Sequence, residues 1–132
     1  MVEGSSLKVT LDQHLHLILE EVREQYNLNS LLLADHHGLA VSHAGEIAHA
    51  GMSAIAPELI RVGEHAKRLG EYKSITCVAL VLDDSHLMVI KDIQVGGEPF
   101  VLVMDTATVP KGMLKLLADL SDRLADAMAL NR

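Results

Sequence analysis

Apolar residues recur every three or four positions in three stretches of the chain and crowd into short runs in five others. The first helical stretch follows Thr10. Gln13 stands three residues on, the spacing at which an N-cap hydroxyl and a glutamine side chain satisfy each other's backbone N–H groups. Leu11, Leu15, Ile18, Leu19, Val22 and Tyr26 then fall on one face, and Asn27 and Asn29 mark the stop. Leu31 to Ala34, the turn Asp35-His36-His37-Gly38 and Leu39 to Val41 read as strand, turn, strand, with Gly38 supplying the permissive backbone angle. Residues 44–51 are small and read as a loop or loose helix entry.

The second helix carries the most regular amphipathic pattern. Met52, Ile55, Leu59, Val62, Ala66 and Leu69 form a stripe, and Glu58, Arg61, Glu64, His65 and Arg68 are expected on the opposite side. Pro57 belongs in a first turn, so the firm part of this helix is expected to begin just before it. Gly70 is the expected stop. Three strands follow, about Ser74 to Leu82, His86 to Ile93 and Pro99 to Asp105. Their connections, Asp83-Asp84-Ser85 and a turn with Gly96-Gly97, are too short for parallel crossovers, so the strands form an antiparallel meander. A last helix is expected from about Pro110 to Ala129, with Met113, Leu117, Leu120, Leu124 and Ala127 as its stripe. Lys111, Lys115, Asp119, Asp122 and Asp126 lie away from it.

The order is helix, two strands, helix, three strands, helix. The runs from Thr76 to Leu82 and from Phe100 to Met104 are apolar at successive positions, so both sheet faces need cover. Two helices cover one face and the middle helix the other. A single helix covers a five-stranded face poorly, and that deficit predicts a partner beside the middle helix.

Composition narrows the class. The chain has 132 residues, 49% hydrophobic and 22% charged, which fits one folded domain with a real core. Aromatics are 2% with no Trp, so the core is aliphatic. Net charge is −7, which argues against binding a nucleic-acid backbone. The N-terminus, with a leader of residues 1–9, shows no signal-peptide pattern. No run approaches the about 20 apolar residues of a membrane span. A cytoplasmic protein is expected.

Candidate chemistry is sparse. Cys77 is the one cysteine and reads as a buried structural thiol. The 8 histidines invite a metal, but His14 and His16, the adjacent His36 and His37, and His43 fit no ligand pattern. No phosphate loop and no nucleophile elbow is present. Asp83 and Asp84 read as solvated turn carboxylates. No catalytic residue, metal or cofactor is assigned. Arg61 and Arg68 lie seven apart on the middle helix. An arginine donated to another protein's nucleotide site can accelerate phosphoryl transfer, but these two fit an ordinary solvated face better.

The segment Leu31-Leu32-Leu33-Ala34-Asp35-His36-His37-Gly38-Leu39-Ala40-Val41-Ser42 resembles the opening hairpin of the roadblock family of dynein light chains and bacterial MglB- and MglC-type proteins. The likeness continues through the middle helix, Leu87-Met88-Val89-Ile90, Phe100-Val101-Leu102-Val103 and the closing helix, roughly residues 10–128. It implies a single roadblock-type domain over 10–130. The implied fold is a roadblock/longin-like three-layer α/β/α sandwich with a five-stranded antiparallel sheet in the order 2-1-5-4-3. It further implies a homodimer through the middle helix and third strand. On this chain that interface is Ile55, Leu59, Val62, Ala66 and Leu69, with Thr76, Val78 and Leu80. Glu58, Arg61, Glu64, His65 and Arg68 are the expected partner-binding residues.

The implied partners are a Ras-like small GTPase or another roadblock protein, in polarity or motility signalling. The chain ends at Arg132, soon after its last helix, which fits a non-catalytic adaptor better than an MglB-type GTPase activator. A small-molecule sensor is the rival from another class, for which the sequence offers no polar or aromatic cluster.

Overall fold

The computed structural model describes residues 10–46, 51–83 and 86–130. The expected leader, part of the expected 44–51 loop and the Asp84-Ser85 turn lie outside them. Helix α1 spans Leu11–Gln25. Its capping box is formed: Thr10 Oγ1 accepts from the Gln13 N–H at 3.2 Å, and Gln13 Oε1 accepts from the Thr10 N–H at 3.0 Å. Leu15, Ile18, Leu19 and Val22 are buried. The chain leaves α1 through Asn27 at φ 55°, a left-handed conformation that asparagine tolerates.

Strands β1 (Ser30–Asp35) and β2 (Ala40–Gly45) form the first hairpin. Asp35 Oδ1 accepts from the N–H groups of His37 at 2.9 Å and Leu39 at 3.0 Å. These donors, that of Leu39 first, hold the Asp35 carboxyl below the usual range. Gly38 has φ +88°, and a Cβ there would stand 3.0 Å from the Ala54 Cα at the start of the next helix. Glycine thus serves both the turn and the close packing behind it. Strand β2 runs past the expected Val41, because Ser42, His43 and Ala44 stay paired with β1.

Helix α2 spans Met52–Leu69 and includes Pro57 rather than starting beside it. Strands β3 (Val78–Asp83), β4 (His86–Val95) and β5 (Glu98–Thr106) make the meander. Pairing in β3 begins at Val78, opposite Ile90, not at the expected Ser74. The preceding chain packs on a helix instead: the Ile75 side chain lies close beneath Gly63 of α2. Helix α3 spans Met113–Leu130. It starts after the expected Pro110 because Gly112 has φ +70°, outside the helical region.

Among the described residues the five strands form one antiparallel sheet in the order β2-β1-β5-β4-β3. Together with the three helices this is the roadblock/longin-like α/β arrangement. Two cores lie on its two faces. The larger joins α1 and α3 to the sheet through residues such as Leu19, Leu33, Leu102, Leu120 and Leu124. The smaller joins α2 to Leu32, Met88, Ile90, Val101 and Val103, with Ala56 as the fully buried helix residue. Each buried Leu or Val contributes about 1.5–3 kcal/mol, so most of the hydrophobic stabilisation comes from the α1/α3 side.

Candidate functional site

Helix α2 has three faces, each set by side-chain size and charge. Ser53, Ala56 and Gly63 are buried against the sheet. Small residues allow this close approach; a Cβ on Gly63 would come within 2.8 Å of Val78 Cγ2 and 2.9 Å of Ile75 Cδ1. About a third of a turn away, at 3.6 residues per turn, lies the apolar stripe read from the sequence. It faces outward: Val62 is 62% exposed, Leu69 76% and Ile55 45%, and Ala66 is also exposed. Leu59 sits at its border, partly buried on the α2 core.

Three of the five polar residues border this stripe rather than standing clear of it on the opposite side. Glu58, Arg61 and His65 line one shallow cleft of about 400 Å³ together with Val62, Ala66 and Leu69. The side opposite the stripe is shared with the sheet-facing small residues, whose shortness left them unread as a packing face. Arg61 pairs with Glu58 one turn away, and Lys67 pairs with Glu64 at 2.9 Å. Arg68 is exposed.

Helix α2 also packs on β3, an edge strand of the sheet. Val78 and Leu80 point towards α2 and are half-buried on its core. Thr76 precedes the strand and lines a cleft beside α3 with Leu114 and Leu117. The large apolar side chains left open on this edge are Val81, 83% exposed, and Leu82, 52% exposed. The sequence reading missed both. Their signal was an apolar run carried to the end of a terminal strand of the sheet. Among the described residues, no side chain hydrogen-bonds to the backbone of Val78 to Leu82.

The other sheet edge is capped at two positions. His43 and Gly45 of β2 turn backbone groups outward, and α1 side chains meet them. The His16 Nδ1–H donates to the His43 carbonyl at 2.7 Å, and Glu20 Oε1 accepts from the Gly45 N–H at 2.9 Å. Arg23 grips the same carboxylate at 3.2 and 3.3 Å. The guanidinium first, and the Gly45 N–H next, hold Glu20 below the usual carboxylate range.

Elsewhere the chemistry is modest. A cleft of about 290 Å³ under α2 brings His36, Arg61, Asp92 and Gln94 over Phe100 and Val101, a polar group that the sequence did not bring together. Cys77 is half-buried, and burial pushes its thiol up, away from nucleophilic use. His86 Nδ1 donates to the Asp105 carboxylate at 2.9 Å, and Asn29 Nδ2 donates to it at 3.2 Å. Asp105 raises the His86 pKa through that bond. Among the described residues no group of three or more His, Cys, Asp or Glu stands close enough to hold a metal ion. No described helix is long and apolar enough to cross a membrane.

No protein-family model matches the chain, and no curated protein matches it by sequence. Solved structures match its fold over nearly all of its length. An MglB with a tetrameric arrangement superposes with TM-score 0.72 at 14% identity, covering 96% of both chains. The gliding protein MglB of Thermus thermophilus gives 0.69 at 16%, covering 92% of this chain and 93% of that one. A Roadblock/LC7 domain from Streptomyces avermitilis gives 0.68 at 20%, covering 86% and 97%. The sheet order, the helix placement and these superpositions together show that this chain has the roadblock/LC7 fold.

Proposed function

We propose that this protein is a non-catalytic regulator or adaptor that self-associates through α2 and β3 and presents the joined surface to a second protein. One observation carries the reading: α2 carries an exposed apolar stripe and packs on β3, an edge strand whose Val78 to Leu82 backbone no described side chain caps, while α1 side chains cap two backbone groups of the opposite edge. Val62, Ala66 and Leu69 on α2, and Val81 and Leu82 on the β3 edge, are large or apolar side chains left exposed by the single chain, more than a surface that stays wet usually carries. A second copy related by a two-fold axis covers both at once, since the same patch meets itself. Pairing β3 with β3 would join two sheets and satisfy the edge. The tetrameric arrangement of one MglB neighbour supports self-association on this fold.

The partner class rests on the roadblock resemblance of the sequence. MglB-type and roadblock proteins suggest a Ras-like small GTPase, or another roadblock protein, as the occupant. The gliding role named for the Thermus protein suggests polarity or motility signalling. Glu58, Arg61, His65 and Arg68 flank the stripe and would remain at the rim of a dimer. Arg61 pairs with Glu58 on the exposed helix face, an ordinary solvated arrangement, and the proposed role is adaptor action rather than arginine donation to a GTPase site.

The test is a tagged pull-down from source-cell lysate, once with GDP and once with a non-hydrolysable GTP analogue. Recovery of a Ras-like GTPase with the analogue supports a direct effector. Recovery of a roadblock protein under both conditions supports an adaptor. Faster phosphate release from the recovered GTPase on adding this protein would overturn the non-catalytic reading.

A further inference from the structure

We infer that His16 and Glu20 of α1 act as a seal on the outer edge of β2, so that the sheet joins other chains at the β3 edge alone. An antiparallel strand turns its backbone groups alternately to either side, so an edge strand presents a row of donors and acceptors to any passing strand. On β2 that row includes the His43 carbonyl and the Gly45 N–H. Each is engaged by an α1 side chain, at 2.7 Å and 2.9 Å.

The seal is built into the fold. Glu20 is aimed by two Arg23 contacts, at 3.2 and 3.3 Å. Gly45 adopts φ +76°, and a Cβ there would lie 2.4 Å from the Asn29 carbonyl oxygen and 2.8 Å from Arg23 Cδ. Glycine at this position therefore lets strand, helix side chain and the preceding turn meet. The His16 and His43 rings also stand edge to face at 6.4 Å. A strand arriving at β2 would have to displace two hydrogen bonds already made, one of them to the Glu20 carboxylate, which is the strong kind.

The consequence concerns assembly. A sheet open at both ends adds copies without limit, because β3–β3 and β2–β2 contacts alternate along one continuous sheet. A sheet open at one end stops at two. This consequence rests on the proposed dimer; the seal itself rests on the α1–β2 contacts.

The experiment compares sedimentation of the wild type, the His16→Ala/Glu20→Ala double variant, and that double variant carrying Val81→Lys. Circular dichroism checks that each is folded. The expected result is a wild type that stops at dimers and a double variant whose weight-average mass at least doubles and climbs with concentration. Val81→Lys added to the double variant returns it to dimers, now through β2. If the wild type is a monomer, the dimer reading fails, and the seal is supported when the double variant dimerises. A folded double variant with the wild type's mass overturns the seal. Should the double variant not fold, His16→Ala alone, at an exposed side chain, is expected to show a smaller gain in mass; no gain overturns the seal.

Discussion

The two edges of this sheet face the same physical problem and answer it differently. Both are strands with unpaired backbone on one side. At β2, α1 lies alongside and supplies His16 and Glu20 to the outward-facing groups. At β3, α2 lies on the face of the strand through small residues and reaches no backbone group of Val78 to Leu82 among the described residues. The side chains follow suit. β2 carries Ser42 and His43 near its middle, whereas β3 carries the exposed pair Val81 and Leu82 just before its last residue, Asp83. An edge built to stay alone is capped with polar contacts, and an edge left bare and apolar is one that another chain covers. The contrast points to function where motifs do not.

The largest expected effect breaks the open edge. Val62→Glu together with Val81→Lys places two charges in the proposed interface. Dimerisation should weaken by on the order of a hundredfold, about 3 kcal/mol, in sedimentation equilibrium. Both side chains are exposed, so urea unfolding of the single chain should shift by less than about 0.5 kcal/mol. Stability lost in step with association would mean these residues belong to the protomer's own core.

Next comes the closed edge. Gly45→Ala sets a Cβ against the Asn29 carbonyl in a left-handed backbone, and is expected to cost about 2–3 kcal/mol by urea midpoint. An unchanged midpoint would show that the Gly45 contact relaxes freely. A further substitution, Gly63→Leu, wedges α2 away from Val78 and Ile75, at about 1–2 kcal/mol, and should loosen the dimer too because the stripe moves with the helix. Loss of stability with an unaltered dimer constant would separate helix position from association.

The smallest effect is a pH slope beside the open edge. The Asp105 bond raises the His86 pKa, so the pair's contribution is complete below the unfolded value of about 6.5 and fades as pH rises through the folded one. His86→Gln should narrow its stability gap to wild type between about pH 6 and about pH 9. A gap that stays constant across that range would remove the pair from the account.

The fold was legible because its strongest signals are local. The capping box at Thr10 and Gln13, the Asp35–Gly38 turn and the apolar runs each force one element. Short connections in the meander left few ways to order the strands. The site was less legible for a geometric reason. The stripe on α2 is regular, but periodicity alone does not say which of two faces meets the chain's own sheet. Here the small residues Ser53, Ala56 and Gly63 pack inward, and Ile55, Val62 and Leu69 are left outside. The β2 seal was invisible for a different reason: His16 and Glu20 meet residues 27 and 25 positions away, and a histidine and a glutamate on a helix look solvated until the strand beside them is placed.

The central claim is that β3 is an edge that a second copy completes. Amide hydrogen exchange of Val78 to Leu82, measured across a wide range of protein concentration, reads it directly. The outward-facing amides of β3 should be protected at high concentration and exchange faster on dilution, while those of β2 stay the same. Exchange of the β3 amides that is fast at every concentration would contradict the account.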